Sequence, residues 1–145
     1  KFYLQLEAMR FDSAFSYTID MDPEIDLKSV YIPALIIQPF IENAIWHGIV
    51  PAARAGKVWL NVTRSNGYVN IIVEDDGIGR EVSQKNKAAT KLTHDSKGVN
   101  LTQSRLELDN LLRQRHAKME ITDKADAMGN SSGTKVIIKI EEETE

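Results

Sequence analysis

Lys57-Val58-Trp59-Leu60-Asn61-Val62-Thr63-Arg64-Ser65-Asn66-Gly67-Tyr68-Val69-Asn70-Ile71-Ile72-Val73-Glu74 is the stretch whose reading decides the fold. Val58, Leu60 and Val62 recur with a period of two, the mark of a strand with one face buried. Asn66-Gly67 is a strong hairpin turn signal, because both residue types tolerate positive φ. Residues 57–65 and 68–74 are therefore expected to be antiparallel neighbours. Upstream, Ala14 to Met21 alternates Phe15, Tyr17, Ile19 and Met21 against Ser16, Thr18 and Asp20, a second half-buried strand ended by the turn Asp22-Pro23-Glu24. Between these strands, Ala34 to Ile49 is apolar on a broad face and reads as a central helix, with Pro33 suited to its first turn. Pro39 lacks an amide hydrogen and should crowd the Leu35 carbonyl, so a kink or restart is expected there.

Phe2, Leu6 and Met9 fall at helical spacing, as at the end of a longer helix. Downstream of the hairpin, the polar segment from Arg80 to Lys97 reads as a mobile loop. Leu101, Leu106, Leu108, Leu111 and Leu112 mark an amphipathic helix to about Arg115. Strands at Lys118–Thr122 and Thr134–Ile140 follow, separated by a Gly/Asn/Ser-rich turn from Met128 to Gly133, and the acidic tail Glu141–Glu145 is expected to fray. This order predicts an α/β (α+β) fold, a two-layer sandwich in which helices cover one face of a mixed, mostly antiparallel sheet. Residues 1–12 read as the end of a preceding linker or dimerisation helix, and residues 13–145 as one domain.

At 145 residues the chain fits a single core. Hydrophobic residues at 42% and charged residues at 27% match ordinary globular usage, which suggests neither a disordered nor a membrane class. A net charge of -3 argues against nucleic acid as a partner, since no excess of cations is present to neutralise phosphates. With no cysteine, disulfides, thiolate zinc sites and a cysteine nucleophile are excluded. No apolar run approaches the roughly 20 residues that cross a bilayer, and the first residues show no secretory pattern. The chain reads as an excised fragment without direct membrane contact.

Three constellations carry chemistry. On the central helix, Asn43 and His47 share a face with Ile36 and Phe40. Asn43 is either a capping or core-bonded amide or an oxygen ligand for Mg²⁺, which needs few protein ligands when it bridges phosphates. His47 is either structural or a phosphate contact. Second, Asp75-Asp76-Gly77-Ile78-Gly79 follows a strand directly, placing an acceptor beside backbone that can turn sharply. It is a plain turn or, with a nucleotide bound, an acceptor for the exocyclic amine of adenine. Third, Lys97-Gly98-Val99-Asn100-Leu101 opens a helix, where free amides and the positive dipole end suit an anion. Gly133-Thr134 opens the last strand.

In this order and spacing the sequence resembles the GHKL ATP-binding superfamily and, within it, the LytS/YehU-like sensor histidine kinases. The latter likeness rests on Arg10-Phe11, Ile32-Pro33, Gln38-Pro39-Phe40-Ile41-Glu42-Asn43-Ala44, His47-Gly48 and Ser104-Arg105-Leu106. The resemblance implies the Bergerat fold and residues 13–145 as an ATP-binding catalytic domain. It also implies ATP and Mg²⁺ as cofactors, with Asn43 holding Mg²⁺, Asp75 with Gly77 and Gly79 reading adenine, and an ATP lid between Arg80 and Lys97. Phosphates would bind at Lys97, Gly98, Val99, Asn100 and Leu101, with His47 and Thr134 also in the ATP site. Asn100 stands where the family usually has a glycine, and Trp46 where a lysine is common.

The activity so implied is that of a protein-histidine kinase: the domain donates the γ-phosphoryl group of ATP to a histidine on a separate helical domain. His47, His94 and His116 are the only histidines, and none lies in the family's phosphoacceptor motif. The implied partners are the parent's His-bearing helical domain, homodimeric in the full-length protein, and a downstream response regulator. The implied location is the cytoplasmic side of a membrane-anchored bacterial sensor kinase. Hydrolysing relatives carry a general-base Glu one helical turn before the Mg²⁺ Asn; here that position is Pro39, and Glu42 is rotated about 100° from Asn43. An ATPase, a serine-directed kinase and a nucleotide-free interaction domain remain as alternatives.

Overall fold

The computed structural model describes residues 2–10, 15–26, 30–33, 35–90 and 97–142. Among these, α1 (Phe2–Arg10), β1 (Phe15–Met21), α2 (Gln38–Asn43), β2 (Gly56–Ser65), β3 (Tyr68–Asp75), α3 (Gly79–Thr90), α4 (Lys97–Arg113), β4 (Ala117–Ala125) and β5 (Ser131–Glu141) follow in chain order. The expected boundary at residues 12/13, the strand residue Ala14 and the end of the tail lie outside the described residues.

The hairpin forms as its sequence dictates. Asn66 and Gly67 take φ values of 52° and 76°, the doubly positive pair of the turn that matches strand twist. Ser65 consequently pairs with Tyr68, and the antiparallel register runs on to Val58 with Asp75. The sheet order is β1-β2-β3-β5-β4. Among the described strands only β1 with β2 is parallel, and the crossover this requires carries α2. Val58, Val69, Ile71, Val73, Val136, Ile138 and Ile140 face the helices and form one core with Phe40, Ile41, Ile45, Ile49 and Leu106. The expected helix-on-sheet sandwich is therefore present. Leu4 of α1 is buried in the same core.

Four local expectations are corrected. The central helix does not start near Pro33: α2 begins at Gln38, with Pro39 in its first turn. Leu35 instead takes a left-handed φ of 61°, so the carbonyl that Pro39 would crowd is turned out of the helix and the restart falls at the proline. After Asn43 the helix widens into a π-helical turn, Ala44–Ile49, with the Val50 amide donating to the Ile45 carbonyl.

The segment after Gly79 is helical rather than a loop through Thr90. Its few apolar residues hid it, yet Glu81 and Lys85 pair at i,i+4 and Ser83 is buried. Residues 91–96 lie outside the described residues.

Helix α4 ends at Arg113, and its leucines mislead. Leu101, Leu108, Leu111 and Leu112 are exposed, the last two at 78% and 75%, whereas Thr102, Leu106 and Asp109 are buried. The Thr102 hydroxyl donates to the Gly98 carbonyl, and Asp109 pairs with the buried Arg115 at 2.6 Å. These polar groups can face inward because each has a partner on its own stretch of chain.

The acidic tail is ordered at its start: Glu141 accepts from the His116 amide and Glu142 pairs with Arg64.

Candidate functional site: a cavity between the helices and the sheet end

Asp75, the last residue of β3, is 4% exposed. Its Oδ1 accepts from the Gly77 amide at 2.8 Å, and the Thr134 amide also bonds the carboxylate. Burial pushes this carboxyl up to about 6 from 3.8; the Gly77 amide and Lys124 oppose the rise, Asp76 adds to it, and Thr134 opposes it. The turn behind Asp75 is fixed from several sides. Asp76 Oδ1 accepts from the Lys57 amide at 2.7 Å, Arg54 donates to the Asp76 carbonyl, and the Ile78 amide donates to the Gly48 carbonyl at 3.0 Å.

Glycines allow this density. A Cβ on Gly77 would lie 2.2 Å from the Gly48 carbonyl carbon, and one on Gly48 would lie 2.8 Å from Asp75 Oδ1. At Gly133, where φ is +121°, a Cβ would lie 2.0 Å from the Asp75 carbonyl oxygen. The helix, the turn and the start of β5 thus meet backbone to backbone around one carboxylate.

In front of Asp75 lies a cavity of about 120 Å³. Phe40, Asn43, Ala44, His47 and Gly48 line it from α2 and the π turn, Val73 and Asp75 from β3, and Thr134 and Val136 from β5. Gly79, Arg80, Ser83 and Gln84 come from α3, Val99 from α4 and Ile121 from β4. Asn43 makes no side-chain cap bond, which removes the capping alternative for its amide. Trp46 instead packs against the core.

Of the sequence-predicted site residues, Asn43, His47, Asp75, Gly79, Val99 and Thr134 line this one cavity. Gly77 is held just behind it by its bond to Asp75. Gly98 packs toward Pro39, where a Cβ would lie 3.1 Å from the proline Cβ. Asn100 and Leu101 are exposed on α4 and do not line the cavity. Lys97 opens α4, but its side chain is outside the described residues. Sequence reasoning missed Arg80, Ser83 and Gln84, all on the helix taken for a loop. The Glu81–Lys85 spacing was the signal available for it.

Metal binding can be tested on the donor set. Among the described residues no group of three His, Asp or Glu could hold an ion. Asn43 offers one neutral oxygen on the cavity wall, which suits Mg²⁺ carried in with phosphates and water but no metal held by the protein alone.

This sheet, with its buried strand-end carboxylate and facing helix amide, defines a class. A sequence profile of the histidine kinase-, DNA gyrase B-, and HSP90-like ATPase family matches residues 32–144, and the chain belongs to that family. Similar proteins include the sensor histidine kinase YpdA of Escherichia coli, 39% identical over 79 residues, or 54% of this chain and 14% of that protein. The sensor histidine kinase YesM of Bacillus subtilis is 34% identical over 79 residues, or 54% of this chain and 13% of that one. The sensor protein LytS of Oceanobacillus iheyensis is 33% identical, with the same shares of 54% and 13%. The chain therefore spans only a small part of these relatives. In fold it is similar to the catalytic domain of histidine kinase ThkA, with a TM-score of 0.61 at 14% identity, covering 97% of this chain and 86% of that one. No described helix is long and apolar enough to cross a membrane.

Proposed function

We propose that the chain binds Mg-ATP in this cavity and presents the γ-phosphoryl group to a histidine on a separate helical domain of the same sensor kinase. The observation that carries the reading is that Asp75, from β3, and Asn43, from α2, line the same cavity. The carboxylate of Asp75 accepts from the exocyclic amine of adenine; guanine presents an acceptor there, so acceptor would face acceptor. An unmet buried polar group costs about 1–3 kcal/mol, a preference for ATP over GTP of roughly ten- to hundredfold.

Asn43 is the residue that would hold Mg²⁺, and the ion when bound neutralises phosphate charge. The start of α4 at Lys97 and Gly98 aims free amides at the phosphates, His47 stands beside them, and α3, whose Arg80, Ser83 and Gln84 line the cavity, borders the nucleotide. Positioning and electrostatics then supply most of the catalysis, as is general for phosphoryl transfer.

Hydrolysis is disfavoured by two observations. Pro39 occupies the position one turn before Asn43, and Glu42, the next residue to Asn43, is turned toward Gln38, from which it accepts a hydrogen bond at 2.9 Å, so neither position sets a carboxylate in line to activate water. The full-length protein would be a dimer anchored in the membrane, with this domain in the cytoplasm and a response regulator as the final acceptor. The test is to mix the chain with γ-labelled ATP, with and without the parent's helical domain. Acid-labile label on the helical domain, and none on the chain alone, is expected. Strong label on the chain alone, or phosphate release without the helical domain, would overturn this reading.

A further inference from the structure

Lys124 stands near the end of edge strand β4, between two breaks in regularity. Pairing with β5 shifts register between Asp123 and Ala125, and the facing Gly133 has a positive φ. Such bulges re-aim side chains. Here the Lys124 side chain crosses β5 to reach β3, two strands away at roughly 4.8 Å per strand. Its Nζ pairs with Glu74 at 2.7 Å, lies 5.5 Å from the centre of the Trp59 ring, and donates to the main-chain carbonyl of Asp75 at 3.2 Å. The ammonium is thus seated by an acid on one side and an aromatic face on the other. It grips the backbone of the residue whose side chain faces the cavity.

We propose that Lys124 is a positioning residue for purine recognition, clamping the main chain of Asp75 from the far face of the sheet so that the carboxylate stays aimed into the cavity. This rests on the reading of Asp75 as the adenine acceptor. The clamp has an electrostatic side as well, because the Lys124 charge favours the ionised carboxylate that burial opposes. Among the described residues, the other charged or titratable groups around Asp75 are Asp76 on the same turn with its partner Arg54, Glu74 on β3, His47 on the π turn and Arg80 on α3. Of these, Asp76 acts against ionisation.

The test is calorimetric titration of the 145-residue chain with ADP in EDTA between pH 5.5 and 8.5, which leaves Asn43 and metal out of the readout. Lys124→Met keeps the apolar stem over Trp59 and removes the charge. It should weaken ADP binding about tenfold at pH 6.5 and move the acid limb of the binding curve upward by about half a pH unit or more. Lys124→Arg should restore both to within about twofold. If Lys124→Met melts early, Lys124→Gln should give the same direction of change.

Equal affinity and an unmoved acid limb in Lys124→Met, while Asp75→Asn abolishes ADP binding, would overturn the inference alone. No ADP binding by the unmodified chain, or wild-type affinity in Asp75→Asn, would remove the adenine reading and this inference with it.

Discussion

Replacing Asp75 by Asn should make the fold more stable at neutral pH while removing nucleotide recognition. The carboxyl is raised from 3.8 to about 6 chiefly by burial, so the native chain binds that proton more tightly than the unfolded chain does. Below about pH 3.8 the group is neutral in both states and burial costs nothing. Between 3.8 and about 6 stability falls as pH rises, and above about 6 the whole penalty is present. At about 1.36 kcal/mol per unit, the shift corresponds to about 3 kcal/mol.

Asparagine keeps the shape and an oxygen for the Gly77 or Thr134 amide, without the charge. Urea denaturation of both proteins from pH 4 to 8 should therefore show Asp75→Asn gaining up to about 3 kcal/mol at pH 7.5, with the gain shrinking toward zero near pH 4. In thermal melts this is roughly 5–10 °C. A variant less stable than the parent at pH 7.5, or a difference that does not change between pH 4 and 7, would refute the reasoning.

Gly48→Ala would set a methyl 2.8 Å from Asp75 Oδ1, so the carboxylate must turn; ADP affinity should fall about tenfold or more, read by calorimetry, with the fold retained in circular dichroism. Asn43→Ala should leave Mg-free ADP affinity within about twofold and abolish the gain that Mg²⁺ brings to ATP binding, which paired titrations with and without the metal would reveal. Asp109→Ala strips the buried Arg115 of its 2.6 Å partner and should cost about 3 kcal/mol in urea denaturation. By contrast, Leu111→Gln and Leu112→Gln, at exposed positions, should each stay within about 0.5 kcal/mol of the parent.

What could be read from the sequence was set by how local the determining physics is. The Asn66-Gly67 hairpin and the strand-end Asp75 turn depend on backbone preferences of a few adjacent residues, and both stand where expected. The Pro39 restart was legible for the same reason, although the start of the helix was not, because the left-handed φ of Leu35 breaks an apolar run that reads as continuous helix. Helix α4 was found by counting leucines of which all but Leu106 turn out to face solvent; its buried face is made by Thr102, Leu106 and Asp109, whose polar members need partners invisible to hydropathy. Helix α3 escaped because its contribution to the cavity is polar. Arg80, Ser83 and Gln84 are assembled with Asp75 only by the tertiary fold. The contact from Lys124 to Asp75 spans two strands and 49 residues, and no local pattern encodes it.

The most direct test of the account is a calorimetric comparison of ATP and GTP on the chain, with Mg²⁺ present, beside the same pair on Asp75→Asn. Saturable ATP binding with GTP roughly ten- to hundredfold weaker, and the preference erased in the variant, is the predicted result. Equal affinities for the two nucleotides in the unmodified chain, or no saturation by either at millimolar concentration, would contradict it.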